Sequence, residues 1–141
     1  MTPRRFNIEN AILNRYFPRK FRFVDLDSED AYLDVGVKTQ SGKVYRLKIT
    51  LAQDYPNSMP EVYITYPLPL YNKKGKKLSG ANHDMHTLGN DGDNIQVCHY
   101  KSENWHNDVT LYRVILKARI WLEAYEGHLR TGKKIDNFLT S

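Results

Sequence analysis

The chain has 141 residues, enough to bury one core and too few for two. Hydrophobic residues make up 40% and charged residues 26%, a globular composition, and no apolar run is long enough for a transmembrane helix. The formal net charge of +5 permits an acidic partner, but the basic residues are scattered and carry no recognition motif, so neither a nucleic-acid nor a membrane partner is expected.

The chain opens Met1-Thr2-Pro3-Arg4-Arg5 and continues without a signal-peptide core. Its single cysteine cannot form an internal disulfide, so a reducing cytoplasm is the expected setting. Thr2 and Pro3 suit the N-cap and first position of a helix. Phe6, Ile12, Leu13, Tyr16 and Phe17 then share one face, which predicts a helix over 3–16, closed by Pro18.

Four strands are predicted next. Phe21 and Phe23 flank Arg22. Leu33, Val35 and Val37 alternate with Asp34 and Gly36, and Gln40-Ser41-Gly42 reads as a hairpin turn. Tyr45, Leu47, Ile49 and Leu51 alternate with Arg46, Lys48 and Thr50. Val62, Ile64 and Tyr66 follow a turn pinned by Pro56 and Pro60. The pattern is an antiparallel meander with one face buried and one wet.

Regularity stops after Pro69. Lys73, Lys74, Lys76 and Lys77 form a basic turn, and residues 78–94 read as a long irregular loop. That loop leads into a short extended piece carrying Ile95, Val97 and the lone Cys98. A second helix is predicted over about 109–129, with Asp108 as N-cap and Gly132 as the stop. Leu111, Val114, Ile115, Ala118, Leu122 and Tyr125 form its apolar stripe. The fold class expected is α+β: an N-terminal helix, a four-stranded antiparallel meander, an irregular loop with the cysteine, and one long C-terminal helix. It is read as one domain over 1–141 with a flexible tail at about 133–141.

A thiol held on a loop between a β-layer and a helix is placed where a reactive cysteine is found. A free thiol has a pKa of about 8.5, so a nearby base helps it to react at neutral pH. His86 and His99 are the candidates to take a proton from the thiol or from an attacking amine. Asn82, Asn90 and Asn94 are candidate donors to an oxyanion, a contact typically worth about 3 kcal/mol. His83, His86, Cys98 and His99 are also metal-ligand types, but adjacent Cys98 and His99 chelate one tetrahedral ion poorly, so no metal is expected.

The order of elements resembles the ubiquitin-conjugating enzyme fold. Tyr55-Pro56, then Met59-Pro60-Glu61-Val62, is similar to that family's approach to its fourth strand. Ile95-Gln96-Val97-Cys98 stands where the family has Gly-x-Ile-Cys-Leu, and Trp105 and Thr110-Leu111 follow at similar spacing. Trp121-Leu122, Tyr125-Glu126 and Thr131-Gly132 resemble the bacterial, stand-alone branch found in anti-phage, CBASS-like operons. The family's His-Pro-Asn is absent; His83-Asp84-Met85-His86 stands in its neighbourhood, and His99 replaces the leucine after the cysteine.

The resemblance implies a conjugating enzyme that carries a protein C-terminus as a thioester on Cys98 and passes it to an amine of a target protein. It implies a modifier or a nucleotidyltransferase as the carried protein, and an activating enzyme that consumes ATP. No cofactor is expected in this chain, which has no Gly-rich phosphate loop. The first helix, through Arg4 and Arg5 with Arg15 and Arg19, is implied as a docking face for an upstream partner. The alternative is a non-catalytic variant of the fold that binds a ubiquitin-like protein or scaffold; such variants lack the cysteine that this chain keeps.

Overall fold

A computed structural model describes residues 1–139. Helix α1 spans Pro3–Tyr16, capped by Thr2, whose side chain accepts from the Arg5 N–H at 3.1 Å. Strands β1 (Phe21–Val24), β2 (Tyr32–Lys38), β3 (Val44–Thr50) and β4 (Val62–Tyr66) form the expected meander. Leu33, Val35, Val37, Tyr45, Leu47, Ile49, Val62 and Ile64 are buried from alternate positions. The opposite face carries polar pairs such as Arg46 with Asp34, 2.8 Å apart.

The sheet does not end at four strands. Residues 78–94, expected as irregular loop, contain β5 (Thr87–Asp91) and the start of β6 (Asn94–Val97). They form a hairpin through Gly92, whose φ of 60° lies in the left-handed region that a side chain disfavours. β6 pairs with β4, matching Val62 to Val97 and Ile64 to Ile95, so the six-stranded antiparallel order is β1-β2-β3-β4-β6-β5. The chain leaves β4, builds the outer edge first, and returns inside it. Cys98 follows directly from β6.

Helix α2 spans Leu111–Thr131, two residues later at each end than expected. Thr110, not Asp108, is its N-cap, and Gly132 closes it in the left-handed conformation with φ 75°. Leu111, Val114, Ile115, Ala118, Trp121, Leu122 and Tyr125 join the inward residues of the sheet in one buried cluster. Glu126 is also buried; its Oε2 accepts from Tyr45 OH at 2.8 Å and Thr39 Oγ1 at 2.9 Å, tying β3 to α2.

The stretch expected as a tail packs back over its described part. Ile135 is fully buried at the start of a short 3₁₀ turn, Ile135–Asn137. Phe138 lies so close to Gly127 of α2 that a Cβ there would stand 2.8 Å from the ring. Residues 140–141 of the expected tail lie outside the described residues. Among the described residues, no helix is long and apolar enough to cross a membrane.

Candidate functional site

Cys98 sits where the inner strand of the hairpin ends, half-buried. Its N–H donates to the carbonyl of His86 at 3.0 Å, which continues the β5–β6 ladder by one step. His86 has φ 54°, a region sparsely used by residues with a side chain. That turn aims the His86 carbonyl at Cys98 while the ring reaches the C-terminal segment, where Nε2 bonds the carboxylate of Asp136.

The thiol borders a cleft of about 240 Å³ lined by His86, Cys98, His99, Lys101, Lys117 and Trp121, with Leu139 at its wall. Larger hollows exist, of about 270, 410 and 450 Å³, but none of them is lined by the cysteine. Chemistry rather than size therefore singles out the Cys98 cleft. Trp121 lines the cleft and donates Nε1–H to the Met85 carbonyl at 2.9 Å, so α2 anchors the turn that presents His86. On the other side, Tyr100 meets Trp105 edge-to-face at 5.9 Å, and Trp105 donates to the Pro56 carbonyl at 2.9 Å. The Tyr55-Pro56 motif and the tryptophan after the cysteine thus brace each other.

His86 and His99 both reach the cleft, but in different states. The two ring nitrogens of His99 are buried and make no hydrogen bond. Burial pulls its pKa down to about 4; the nearby Val97 and Pro60 carbonyls oppose the shift without reaching bonding geometry. His99 is therefore neutral at physiological pH and a weak base. His86 is partnered and one-quarter exposed.

The three asparagines lie elsewhere. The Asn82 side chain accepts from the Met85 N–H at 3.1 Å and shapes the turn before His86. Asn90 donates to the Gly92 carbonyl at 2.9 Å, and Asn94 pairs with Asp91, both at the hairpin's far end. None of them lines the cleft. The cations that do, Lys101 and Lys117, were not singled out from sequence. Lys117 had one usable signal: it stands one helical turn before Trp121, on the same side of α2. Asp136 had none.

On α1, Arg4 is exposed, whereas Arg5 is committed to the fold. Arg5 pairs with the fully buried Glu9 at 3.1 Å and donates to the carbonyls of Asn107 and Val109, both at 2.6 Å. Glu9 also accepts from Tyr55 OH, and burial followed by the Glu9 charge pushes the Tyr55 phenol up, keeping it protonated. Among the described residues, no group of three or more His, Cys, Asp or Glu side chains is arranged to hold a metal ion. Comparison of the chain with family models, with curated proteins and with solved structures finds no match.

Proposed function

We propose that this chain is a bacterial ubiquitin-conjugating-type acyl carrier acting through Cys98. The observation that carries the reading is one half-buried thiol at a strand end, in a cleft shared with an Asp-partnered histidine and two lysines. A thiol is suited to the task because its thiolate is a strong nucleophile and a thioester remains open to attack. In loading, the Cys98 sulfur attacks the acyl carbon of an activated C-terminus; the C–S bond forms and the activating group leaves. In transfer, an amine attacks the same carbon; the C–N bond forms, the C–S bond breaks, and the thiolate regains a proton. The ammonium groups of Lys101 and Lys117 favour the oxyanion formed in each step.

The order of helix, meander, cysteine, tryptophan and long helix supports the same reading. So does the junction of Pro56 with Trp105, since both belong to the motifs that suggested it. The carried C-terminus is proposed to belong to a nucleotidyltransferase of an anti-phage system, delivered by an activating enzyme and passed to a target amine.

The test is intact mass of the chain co-expressed with its neighbouring gene products, as wild type, Cys98→Ala and Cys98→Ser. The expected result is a protein-sized adduct that reductant removes. It should be lost in Cys98→Ala and become reductant-resistant in Cys98→Ser. Absence of any adduct on folded protein would overturn the reading in favour of a binding module.

A further inference from the structure

We infer that Asp136 is a positioning residue for transfer: it fixes the tautomer of His86 beside Cys98. The inference rests on the acyl-carrier reading above. Its geometric basis is the bond between His86 Nε2 and the Asp136 carboxylate. An ionised carboxylate only accepts hydrogen bonds, so the shared proton belongs to Nε2. In the neutral ring Nδ1 is then the unprotonated nitrogen and the basic one.

The C-terminal segment is docked so as to hold this pair. Ile135, directly before Asp136, is fully buried, and Phe138, two residues after it, sits against Gly127. The Asp136 side chain itself is 56% exposed and that of His86 25%, and pairs this open contribute little to stability. Docking comes from the flanking apolar residues, which leaves the carboxylate free to orient the ring. The logic is that of a nucleophile, a base, and a third group that orients the base. The other titratable groups facing His86 are His83, whose ring stacks on it at 6.0 Å, and Cys98, His99, Lys101 and Lys117 across the cleft.

During transfer the target amine attacks the thioester carbon. A C–N bond forms and the C–S bond breaks. The proton shed by the attacking nitrogen passes to His86 Nδ1 and returns to the departing Cys98 thiolate, so the ring ends as it began.

The test loads Cys98 directly with a glycine-terminated peptide thioester of mercaptoethanesulfonate and follows discharge onto free lysine. Asp136→Ala is expected to load like wild type and discharge roughly ten-fold more slowly. His86→Ala should be slowed at least as much, and the double variant should be no slower than His86→Ala. Nitrogen-15 NMR of labelled histidine should show Nε2–H in wild type and a tautomer mixture in Asp136→Ala, with thermal unfolding nearly unchanged. Normal loading with unchanged discharge, or an unchanged tautomer, would overturn this inference alone. A wild-type chain that never loads would overturn the acyl-carrier reading and this inference with it.

Discussion

The backbone N–H of Leu111, the first residue of α2, donates to both oxygens of the fully buried Glu9 carboxylate, at 3.1 and 3.3 Å. One helix thereby caps another. A carboxylate at a helix N-terminus meets unsatisfied N–H groups and the positive end of the dipole. Here it also meets Arg5 and the Tyr55 hydroxyl, so α1, the Tyr55 turn and α2 are joined at one buried charge.

Glu9→Ala removes the centre of that junction and leaves Arg5 and the Leu111 N–H without their partner. Breaking a buried pair on one side costs about 3–5 kcal/mol. For a chain of this size that lowers Tm by roughly 10–17 °C. Thermal or urea unfolding checks it; a loss within the range of an ordinary surface substitution, about 0.5 kcal/mol, would contradict the buried junction.

Arg4 and Arg5, adjacent in sequence, should separate cleanly in experiment. Arg5→Glu places a second negative charge beside Glu9 and abandons two carbonyls, so it should destabilise the fold about as much as Glu9→Ala. Arg4→Glu alters only an exposed side chain, and its unfolding midpoint should match wild type. If α1 docks an upstream partner, Arg4→Glu is the variant that reports it, as slower loading of Cys98 on an intact fold. Unchanged loading would remove Arg4 from the docking face.

His99 supplies a pH signature. Its folded pKa is lowered to about 4 from the ordinary 6.5. A histidine buried neutral takes up its proton more readily when unfolded, so its contribution is fully present above about pH 6.5. It is lost as pH falls from about 6.5 to about 4, and amounts to roughly 3 kcal/mol. His99→Phe should flatten the acid limb of a stability-against-pH curve in that window. An acid limb as steep as wild type would mean that His99 is not held neutral.

The four-strand meander was legible because one wet face imposes a period of two on Leu33 to Val37 and Tyr45 to Leu51. β5 was hidden because an edge strand need not bury much: its Gly89, Asn90 and Asp91 carry no apolar alternation, and its register shifts between Thr87 and Gly89. The start of α2 was misjudged because Asp108 and Thr110 are both good caps by type, and the choice was made by Glu9, 102 residues away from Leu111. Cys98 and His86 stand out in the sequence by chemistry and short separation, and the fold brings both to one cleft. Asp136 does not stand out, because only the docking of Ile135 and Phe138 returns it to His86. The same local ambiguity made Arg4 and Arg5 look alike until Glu9 claimed one of them.

Gly127 tests that docking by a change of sign. In a helix interior, Ala is better than Gly by about 1 kcal/mol. At Gly127 the new Cβ would stand 2.8–2.9 Å from three ring atoms of Phe138, a contact that a rigid ring cannot relieve locally. Overpacking costs about 1–3 kcal/mol, so Gly127→Ala should destabilise the protein on balance. In a Phe138→Ala background the obstacle is gone, and the same substitution should stabilise by about 1 kcal/mol. Urea unfolding of the four proteins of this cycle gives the answer; stabilisation in both backgrounds would mean that Phe138 does not pack there. Because Phe138 and Ile135 carry Asp136 to His86, Gly127→Ala should also speed tryptic cleavage after Lys133 and Lys134. It should shift the His86 tautomer as Asp136→Ala does, though it touches neither residue.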